Sequence, residues 1–386
     1  MQNGCFNISK RCRHMNRETK TENLTDSNVS KLQVANKMLK PLHKWLSEVG
    51  HYTIHRNYKG PVTAQFGITY ACNMNCMHCY SKLRRSSRPI PYQRMLELLD
   101  EIVELGCFRL FFSHGESLLH PKCLDFIRYS RDLDLHTTLI SNGLLIDSIM
   151  AAKISFSGVN RVLISIDSAD PKIHDNFRQY SGAWQSAVNA IRQLLALNVV
   201  QVGIAASLSQ MNLKNVQEII DMGFELGIRY FSFMTVRPTS GSNIYFSAMR
   251  HEYLDALLQL WLIRRRLAGI AEVVFHDPLV FLSLWDTILT YDEAEWLIGQ
   301  NTCFAGRSIL SVSPEGNVYP CNFIKESIGN INQVDLSKLW HSDLLRKIRE
   351  RKISNLCHKC SASLVCNGGC YAFWQKEKQI DSRCQH

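Results

Sequence analysis

The chain has 386 residues, of which 46% are hydrophobic and 20% are charged. This composition excludes a wholly disordered chain and predicts a globular protein with one large domain or two domains. No apolar run reaches the length of a membrane span, and the start of the chain lacks a signal-peptide pattern, so we expect a cytoplasmic protein without a membrane partner.

The net charge of +10 is concentrated at the start of the chain, because residues 1–60 hold eleven Lys/Arg against four Asp/Glu. Residues 1–30 are polar and lack periodicity, so a basic, disordered arm is predicted. Residues 31–60 are predicted to form an amphipathic helix, over 30–46 and broken near Pro41, and a lead-in to the folded region. The arm suits nucleic acid or an acidic peptide, although a solvated segment is the simpler interpretation.

Residues 61–240 alternate between strand-like apolar runs and helical patterns, including helices over 92–105 and 183–197. The predicted strands cover 62–70, 108–112, 136–140, 161–166, 200–207 and 229–236. Six strands alternating with helices predict an α/β fold with a parallel sheet, either barrel-like or doubly wound. In both architectures the chemistry gathers at the C-terminal ends of the strands. Residues 241–300 are predicted to be connecting helices.

Three cysteines, Cys72, Cys76 and Cys79, directly follow the first predicted strand. Zinc sites and complete iron–sulfur clusters normally use four thiolates. The run therefore indicates either a zinc knuckle with a distant fourth ligand or an iron–sulfur cluster with one open iron.

The pattern Cys72-x3-Cys76-x-His78-Cys79 resembles the signature of the radical S-adenosylmethionine (SAM) family. The resemblance implies a [4Fe–4S] cluster on the three cysteines, whose open iron binds SAM, with His78 at the cofactor. It also implies reductive cleavage of SAM to a 5′-deoxyadenosyl radical, which abstracts hydrogen from a substrate.

The resemblance further implies four SAM-binding positions. Gly115 and Glu116 match the end of a Gly-Gly-Glu motif that holds the SAM amino group, and a carboxylate suits an ammonium ion. His114 stands where the first glycine belongs, so the chain departs from the family there. Ser165 and Arg178 match residues that bind the SAM carboxylate, and a guanidinium suits that anion.

Seven further cysteines lie after residue 300, where short strands are predicted at 308–313 and 317–320. A loop-rich region of this size, residues 301–386, is expected to need metal for its stability. Two zinc ribbons are the alternative for such Cys-x2-Cys spacing. The seven positions are Cys303, Cys321, Cys357, Cys360, Cys366, Cys370 and Cys384.

This spacing resembles the SPASM extension of radical SAM enzymes, so the full expectation is a partial (β/α)6 radical SAM barrel with a small cysteine-rich SPASM domain. The resemblance implies two auxiliary [4Fe–4S] clusters that carry electrons or bind substrate. The first is assigned to Cys303, Cys321 and Cys370, with a fourth ligand open or unidentified. The second is assigned to four cysteines: Cys357, Cys360, Cys366 and Cys384.

Enzymes of this type, including the pyrroloquinoline-quinone maturase, mostly modify peptides or proteins by crosslinking, oxidation or epimerisation. Sulfatase maturases place a basic Asp where this chain has Asn322, and an amide accepts no proton near neutral pH. The resemblance implies a flavodoxin or ferredoxin as electron donor, and a leader peptide bound by the arm or by a separate protein. Two alternatives remain: a small-molecule substrate such as a tetrapyrrole side chain or sugar, and a zinc or nucleic-acid-binding protein. No catalytic acid or base is assigned.

Overall fold

The computed structural model describes residues 39–44, 58–81, 89–237, 250–350, 352–360, 362–375 and 380–384. The predicted basic arm and most of the predicted helix over 30–46 lie outside these residues. Within the described part, no helix is both long enough and apolar enough to cross a membrane.

The strands, numbered in chain order, are β1 (Lys40–Pro41), β2 (Thr63–Gly67), β3 (Arg109–Ser113), β4 (His136–Ser141), β5 (Arg161–Ser165), β6 (Gln201–Leu208), β7 (Tyr230–Thr235), β8 (Glu272–His276), β9 (Ile288–Leu289), β10 (Ile309–Val312), β11 (Asn317–Tyr319), β12 (Gly329–Asn330), β13 (Trp374–Gln375) and β14 (Ile380–Asp381). The helices are α1 (Tyr92–Glu104), α2 (Cys123–Asp132), α3 (Ser148–Phe156), α4 (Pro171–Arg178), α5 (Ala183–Leu197), α6 (Val216–Glu225), α7 (Arg250–Arg266), α8 (Val280–Ser283), α9 (Tyr291–Asn301), α10 (Leu336–Trp340), α11 (Asp343–Arg349), α12 (Asn355–His358) and α13 (Ser363–Cys366).

Ten of the described strands form one sheet in the order β12-β11-β10-β2-β3-β4-β5-β6-β7-β8. Strands β2 to β8 are all parallel, and β10 pairs in parallel with β2, with Val312 opposite Phe66. Strands β11 and β12 continue the sheet in the antiparallel sense. The predicted α/β class with a mostly parallel sheet is therefore confirmed, and all six predicted barrel strands are present.

The helices cover the sheet through apolar stripes, as α1 illustrates. Its buried residues are Met95, Leu98, Leu99 and Ile102, which recur at the spacing of one helix face. The predicted helices over 92–105 and 183–197 correspond to α1 and α5.

One local prediction is wrong. Residues 241–300 contain not only helices but also strand β8, whose apolar residues are buried against β7. A strand buried on both faces lacks the polar–apolar alternation that identifies strands in a sequence. Lys40–Pro41 pairs with β9 as a short strand, at the point where the sequence predicted a break in the helix over 30–46, since proline lacks the N–H that a helix interior needs.

The cysteine-rich region is joined directly to the barrel. Its predicted strands at 308–313 and 317–320 are observed as β10 and β11. Because β10 runs parallel to β2, the turn after β10 lies at the same edge of the sheet as the loop that carries the first three cysteines. Across this contact the Tyr70 hydroxyl donates to Glu315 Oε1, in the turn between β10 and β11, over 3.3 Å.

Candidate active site

The loop after β2 carries the first three cysteines at the C-terminal edge of the sheet. Cys72 is exposed, Cys76 is buried and Cys79 is partly buried. Although the residue as a whole is exposed, partial desolvation of its sulfur by the surrounding loop raises the pKa of Cys72 to about 11. Burial also raises the pKa of Cys76, against the opposing effect of Arg178. Thiols of this kind keep their protons until a metal displaces them, so metal binding here would release protons.

Two backbone hydrogen bonds hold this loop against neighbouring elements. The Met77 N–H donates to the Phe177 carbonyl oxygen over 3.0 Å, and the Glu116 N–H donates to the Ala71 carbonyl oxygen over 2.8 Å. The structure thereby joins the cysteine loop to the turn after β3 and to the end of α4, which were separate motifs in the sequence.

The turn after β3 contains two consecutive residues in the left-handed region, His114 with φ 71° and Gly115 with φ 51°. For a residue other than glycine this conformation costs roughly 1–2 kcal/mol. This cost explains why the Gly-Gly-Glu motif has a glycine at the position that His114 takes here. His114 keeps the backbone shape, and its ring lies 6.3 Å from the Tyr70 ring and 5.2 Å from the Tyr80 ring, centroid to centroid. The chain therefore keeps the left-handed turn with histidine at the position where the motif has its first glycine.

Gly115 offers a test of how tightly this turn is built. An alanine Cβ there would lie 2.5 Å from the Ala71 oxygen and 2.7 Å from the Thr69 oxygen. At Gly182, with φ 83°, a Cβ would meet no atom within 4 Å. Because both substitutions strain the backbone but only one creates a clash, we expect Gly115→Ala to lower the free energy of unfolding by about 1–3 kcal/mol more than Gly182→Ala. Chemical denaturation measures both values, and equal losses would contradict the prediction.

The Glu116 carboxylate is buried and oriented by backbone donors. Its Oε2 accepts from the Asn142 N–H over 2.9 Å, and its Oε1 accepts from the Leu118 N–H over 3.4 Å. Burial raises the pKa of Glu116, and these donors oppose the rise. The Asn142 side chain in turn donates to Asn73 Oδ1 over 2.7 Å. The Ser-Asn-Gly turn after β4 thus ties the Glu116 carboxylate to the cysteine loop.

Arg178, the last residue of α4, points toward the same loop. Its Nε donates to Asp167 Oδ2 over 2.7 Å, and its Nη1 lies 3.9 Å from the Cys76 sulfur. Both charged side chains are buried. Burial alone would lower the pKa of Arg178, but Asp167 and Cys76 raise it. Ser165, the other residue predicted to bind the SAM carboxylate, ends β5 at the same edge of the sheet and is also buried.

Asp167 is a site residue that the sequence analysis missed. Its Oδ1 accepts from the Ser207 N–H over 2.8 Å, and its carbonyl oxygen accepts from Asn212 Nδ2 over 2.8 Å. These bonds hold the carboxylate that orients Arg178. The available signal was its position, since an acid directly after a buried parallel strand lies at the functional edge of the sheet.

His78 fills the aromatic position of the first motif. Its ring stacks on Phe177, with centroids 4.3 Å apart and an angle of 12° between planes. Burial, followed by Arg178 and His174, lowers the pKa of His78 well below its ordinary range. Within the described part of the chain its Nδ1 has no hydrogen-bond partner. The imidazole is therefore neutral and presents an aromatic face.

Tyr80 and Asn322 connect the two cysteine fields. Burial raises the pKa of Tyr80, whose hydroxyl is within hydrogen-bonding reach of Asn322 and Ser113. The Tyr80 ring also lies 5.2 Å from the Phe323 ring, centroid to centroid. Asn322 is buried, and its Oδ1 accepts from the Cys321 thiol over 3.2 Å. Asn322, the position at which sulfatase maturases have a basic Asp, therefore faces the loop that carries the first three cysteines.

Cys303 and Cys370 lie close to each other, and the segment before Cys321 runs beside the segment after Cys303. A hydrogen bond to Cys303 and burial raise the pKa of Cys370 well above its ordinary value. The Gly306 N–H donates to the Pro320 carbonyl oxygen over 2.9 Å, which brings the segment after Cys303 beside the residue before Cys321.

The other four cysteines form a second group. The Cys360 N–H donates to the Cys357 carbonyl oxygen over 2.9 Å. Burial raises the pKa of Cys366 well above its ordinary value, with contributions from Cys384 and Cys360. Burial raises the pKa of Cys384 to about 12, and Cys357 contributes. Cys366 is thus influenced by Cys384 and Cys360, and Cys384 by Cys357.

The donor chemistry of these cysteines is compatible with iron–sulfur clusters, which bind through cysteine thiolates. Among the residues that the structure describes, no three His, Cys, Asp or Glu side chains converge as one metal ion would require. In an iron–sulfur cluster each thiolate binds a different iron, so its ligands need not meet at one point. Groups of three and four thiols without other donors match that requirement.

Two protein-family models match this chain. Residues 67–222 match the radical SAM superfamily, and residues 303–361 match the SPASM iron–sulfur cluster-binding domain. The first match contains the cysteine loop, Glu116, Asp167 and Arg178. The second match ends before Cys366, so three of the seven C-terminal cysteines lie beyond it.

Known proteins resemble the chain across both regions. Mycofactocin maturase MftC of Mycolicibacterium smegmatis is 26% identical over 324 residues, covering 82% of this chain and 80% of the relative. AdoMet-dependent heme synthase of Methanosarcina barkeri is 26% identical over 315 residues, covering 78% and 88%. The structure of Streptococcus suis SuiB bound to S-adenosylmethionine superposes with a TM-score of 0.72 at 17% identity, covering 98% of this chain and 87% of SuiB. The likeness to SuiB shows a shared fold.

Proposed function

This chain is a radical SAM enzyme with a SPASM domain, and from that premise we propose that it modifies a ribosomally made peptide or protein by crosslinking, oxidation or epimerisation. The observation that carries the proposal is the match to a maturase, MftC, which extends over about four-fifths of both chains. SAM and iron–sulfur cofactors accompany these two domains.

We assign the SAM-binding cluster to Cys72, Cys76 and Cys79. When bound, the cluster and SAM supply the one-electron chemistry that yields a 5′-deoxyadenosyl radical. The loop that holds the three thiols is fixed by backbone bonds to Phe177 and Glu116, so the thiols are presented from one firmly anchored segment.

The SAM contacts are assigned to residues that line this loop. Glu116 holds a buried carboxylate, already oriented by two N–H donors, toward an ammonium group. Arg178 has five N–H donors in total, so its contacts with Asp167 and Cys76 leave donors for the SAM carboxylate. Ser165 lies beside the same anion site. Gly115 permits the tight turn, and His78 offers an aromatic face.

Two auxiliary clusters are proposed in the SPASM domain. Cys303, Cys321 and Cys370 would hold the first, with its fourth ligand open or unidentified, and Cys357, Cys360, Cys366 and Cys384 would hold the second. We assign them to electron transfer from the substrate radical or to substrate binding. A flavodoxin or ferredoxin is the proposed electron donor. A leader peptide is proposed to bind the basic arm or a separate leader-binding protein.

The proposed reaction does not use a base at position 322. The Asn322 amide is buried and engaged by the Cys321 thiol. An amide takes no proton near neutral pH, so the chemistry of sulfatase maturation is not proposed.

A small-molecule substrate is the second candidate. The observation that favours it is the match to the heme synthase of M. barkeri, which covers 88% of that relative. A tetrapyrrole side chain is the substrate class that this relative suggests. The comparisons add nothing to the zinc or nucleic-acid-binding alternative.

Mass spectrometry separates the two candidates. The chain is co-expressed anaerobically with each short reading frame beside its gene, and every peptide product is weighed. We expect loss of two hydrogens, or another discrete mass change, in one peptide. A matched Cys76→Ala variant must leave that peptide unchanged. Unmodified peptides together with SAM cleavage by the purified protein would contradict the peptide proposal and favour the small molecule.

A further inference from the structure

A buried salt-bridge network joins the segment 380–384 to the end of strand β8. Arg383 donates to both carboxylate oxygens of Asp277, from Nη1 over 2.6 Å and from Nη2 over 3.1 Å. It also donates to both carboxylate oxygens of Asp381, from Nε over 3.1 Å and from Nη2 over 2.8 Å. The side chains of Arg383, Asp277 and Asp381 are 7%, 1% and 0% exposed. One guanidinium therefore holds two buried carboxylates from distant parts of the chain.

Further bonds fix Asp277 at the C-terminal edge of the barrel, where it directly follows β8. Its Oδ2 accepts from Thr235 Oγ1 over 2.7 Å, and its Oδ1 accepts from the Leu279 N–H over 3.0 Å. Burial alone would raise the pKa of Asp277, but Arg383 and Arg237 lower it below its ordinary value. The barrel thus presents a charged carboxylate with a fixed orientation.

At its other end the network contacts the segments that carry two proposed cluster ligands. The Cys370 N–H donates to Asp381 Oδ2 over 3.0 Å, and the Asp381 N–H donates to the Gly368 carbonyl oxygen over 3.0 Å. Arg383 directly precedes Cys384. The segment that leads to Cys384 is therefore docked both on the turn before Cys370 and, through Arg383, on the barrel.

The turn that receives Asp381 has no room for a side chain at Gly369. A Cβ at Gly369, whose φ is 86°, would overlap the Asp381 Cβ and lie 2.6 Å from Asp381 Oδ2. At Gly269, whose φ is 80°, a Cβ would meet no atom within 4 Å. The close approach of Asp381 to this turn therefore requires glycine at position 369.

We propose that Asp277 is a positioning residue for the second auxiliary cluster, and that through Arg383 it holds the segment 380–384 against the barrel and so keeps Cys384 in place as a ligand. Fixing the backbone of this segment costs conformational entropy, and the buried ion pairs offset that cost. The inference rests on the proposed function only in requiring a cluster at Cys357, Cys360, Cys366 and Cys384.

The test measures the iron content of the full chain, prepared anaerobically. Asp277→Asn removes only the barrel end of the network, because Arg383 keeps Asp381 as its partner. We expect iron content to fall from about twelve to about eight atoms per chain, because one four-iron cluster is lost. Cys384→Ala removes a proposed ligand of the same cluster and sets the reference for its loss, so the two variants should have equal iron contents.

Gly369→Ala disturbs the network from the opposite side without removing a charge. Its Cβ would displace Asp381, so iron content should again fall by at least about four atoms per chain. Gly269→Ala also places alanine at a positive φ but in open space, and it should keep the iron content of the parent. If Asp277→Asn does not fold, the comparison of these two glycine variants decides the question.

Leu194→Ala controls for a general loss of stability. Leu194 is fully buried in α5, and neither Asp277 nor Arg383 lies on that helix. The substitution leaves a cavity in the barrel core and so lowers the free energy of unfolding. Because the salt-bridge network is intact in this variant, its iron content should equal that of the parent.

Three results would overturn the inference. Parent-level iron in both Asp277→Asn and Gly369→Ala would mean that the network does not hold Cys384 in place. An equal loss of iron in Leu194→Ala would mean that iron content follows overall stability. Unchanged iron in Cys384→Ala would show that Cys384 holds no cluster. Failure of the peptide proposal would appear in the mass spectra instead and leave these iron contents unaffected.

Discussion

Simultaneous replacement of Cys72, Cys76 and Cys79 by alanine is expected to abolish SAM cleavage. Each thiol is one of the three proposed protein ligands of the cluster, and the loop that carries them contacts both Glu116 and Arg178. Without the cluster no electron reaches SAM, so 5′-deoxyadenosine formation under anaerobic reducing conditions should fall to background. Iron content should fall from about twelve to about eight atoms per chain, because one of the three proposed four-iron clusters is lost.

The control uses two cysteines outside both fields. Cys107 and Cys123 are buried in the core, and replacing both with alanine should leave SAM cleavage and iron content at the parent level. A triple variant that still produced 5′-deoxyadenosine would refute the assignment of the first motif. A control variant that lost iron would show that cysteine number, and not cysteine position, governs assembly.

The second large effect is expected at Asp167. Asp167→Asn keeps the shape of the side chain and an oxygen for the Ser207 N–H. It removes the charge that balances Arg178 in a site where both side chains are buried. Breaking a buried ion pair from one side costs about 3–5 kcal/mol, so the free energy of unfolding of the cluster-free chain should fall by that amount. SAM affinity should fall as well, because Arg178 loses its orientation.

Asp343 gives the matched comparison, since its carboxylate meets Arg346 over 2.8 Å but both side chains are largely exposed. Exposed pairs contribute about 0–1 kcal/mol, so Asp343→Asn should barely change the urea midpoint and should not change SAM binding. Similar losses of stability and of SAM affinity in the two variants would mean that the buried Asp167–Arg178 pair contributes no more than the exposed Asp343–Arg346 pair. Isothermal titration with SAM supplies the binding readout.

The strands and the main helices of the barrel could be predicted because their signals are local. Each of the strands β2 to β7 coincides with a short apolar run in the sequence. Helix α5 covers residues 183–197, the same residues for which the apolar periodicity predicts a helix. Strand β8 could not be found in this way, because its burial against β7 removes the alternation and its five residues are too few to show another pattern. Its existence depends on a neighbour about forty residues earlier in the chain.

The cysteine fields and the residue types suited to SAM were determined by the sequence alone, since ligand spacing is written along the chain. The sequence also determined the turn at Gly115, whose positive φ favours glycine for steric reasons that act within a few residues. These features need no knowledge of distant contacts.

Only the tertiary structure decided how the separate motifs meet. Arg178 reaches Cys76 across 102 positions, and Arg383 reaches Asp277 across 106. The parallel pairing of β10 with β2 places the SPASM turn beside the first cysteine loop. The orientation of Arg178 by Asp167 depends in the same way on the bond from the Ser207 N–H to Asp167, across 40 positions. Such contacts arise from sheet register and side-chain burial, which depend on all the strands together and on no single stretch of sequence.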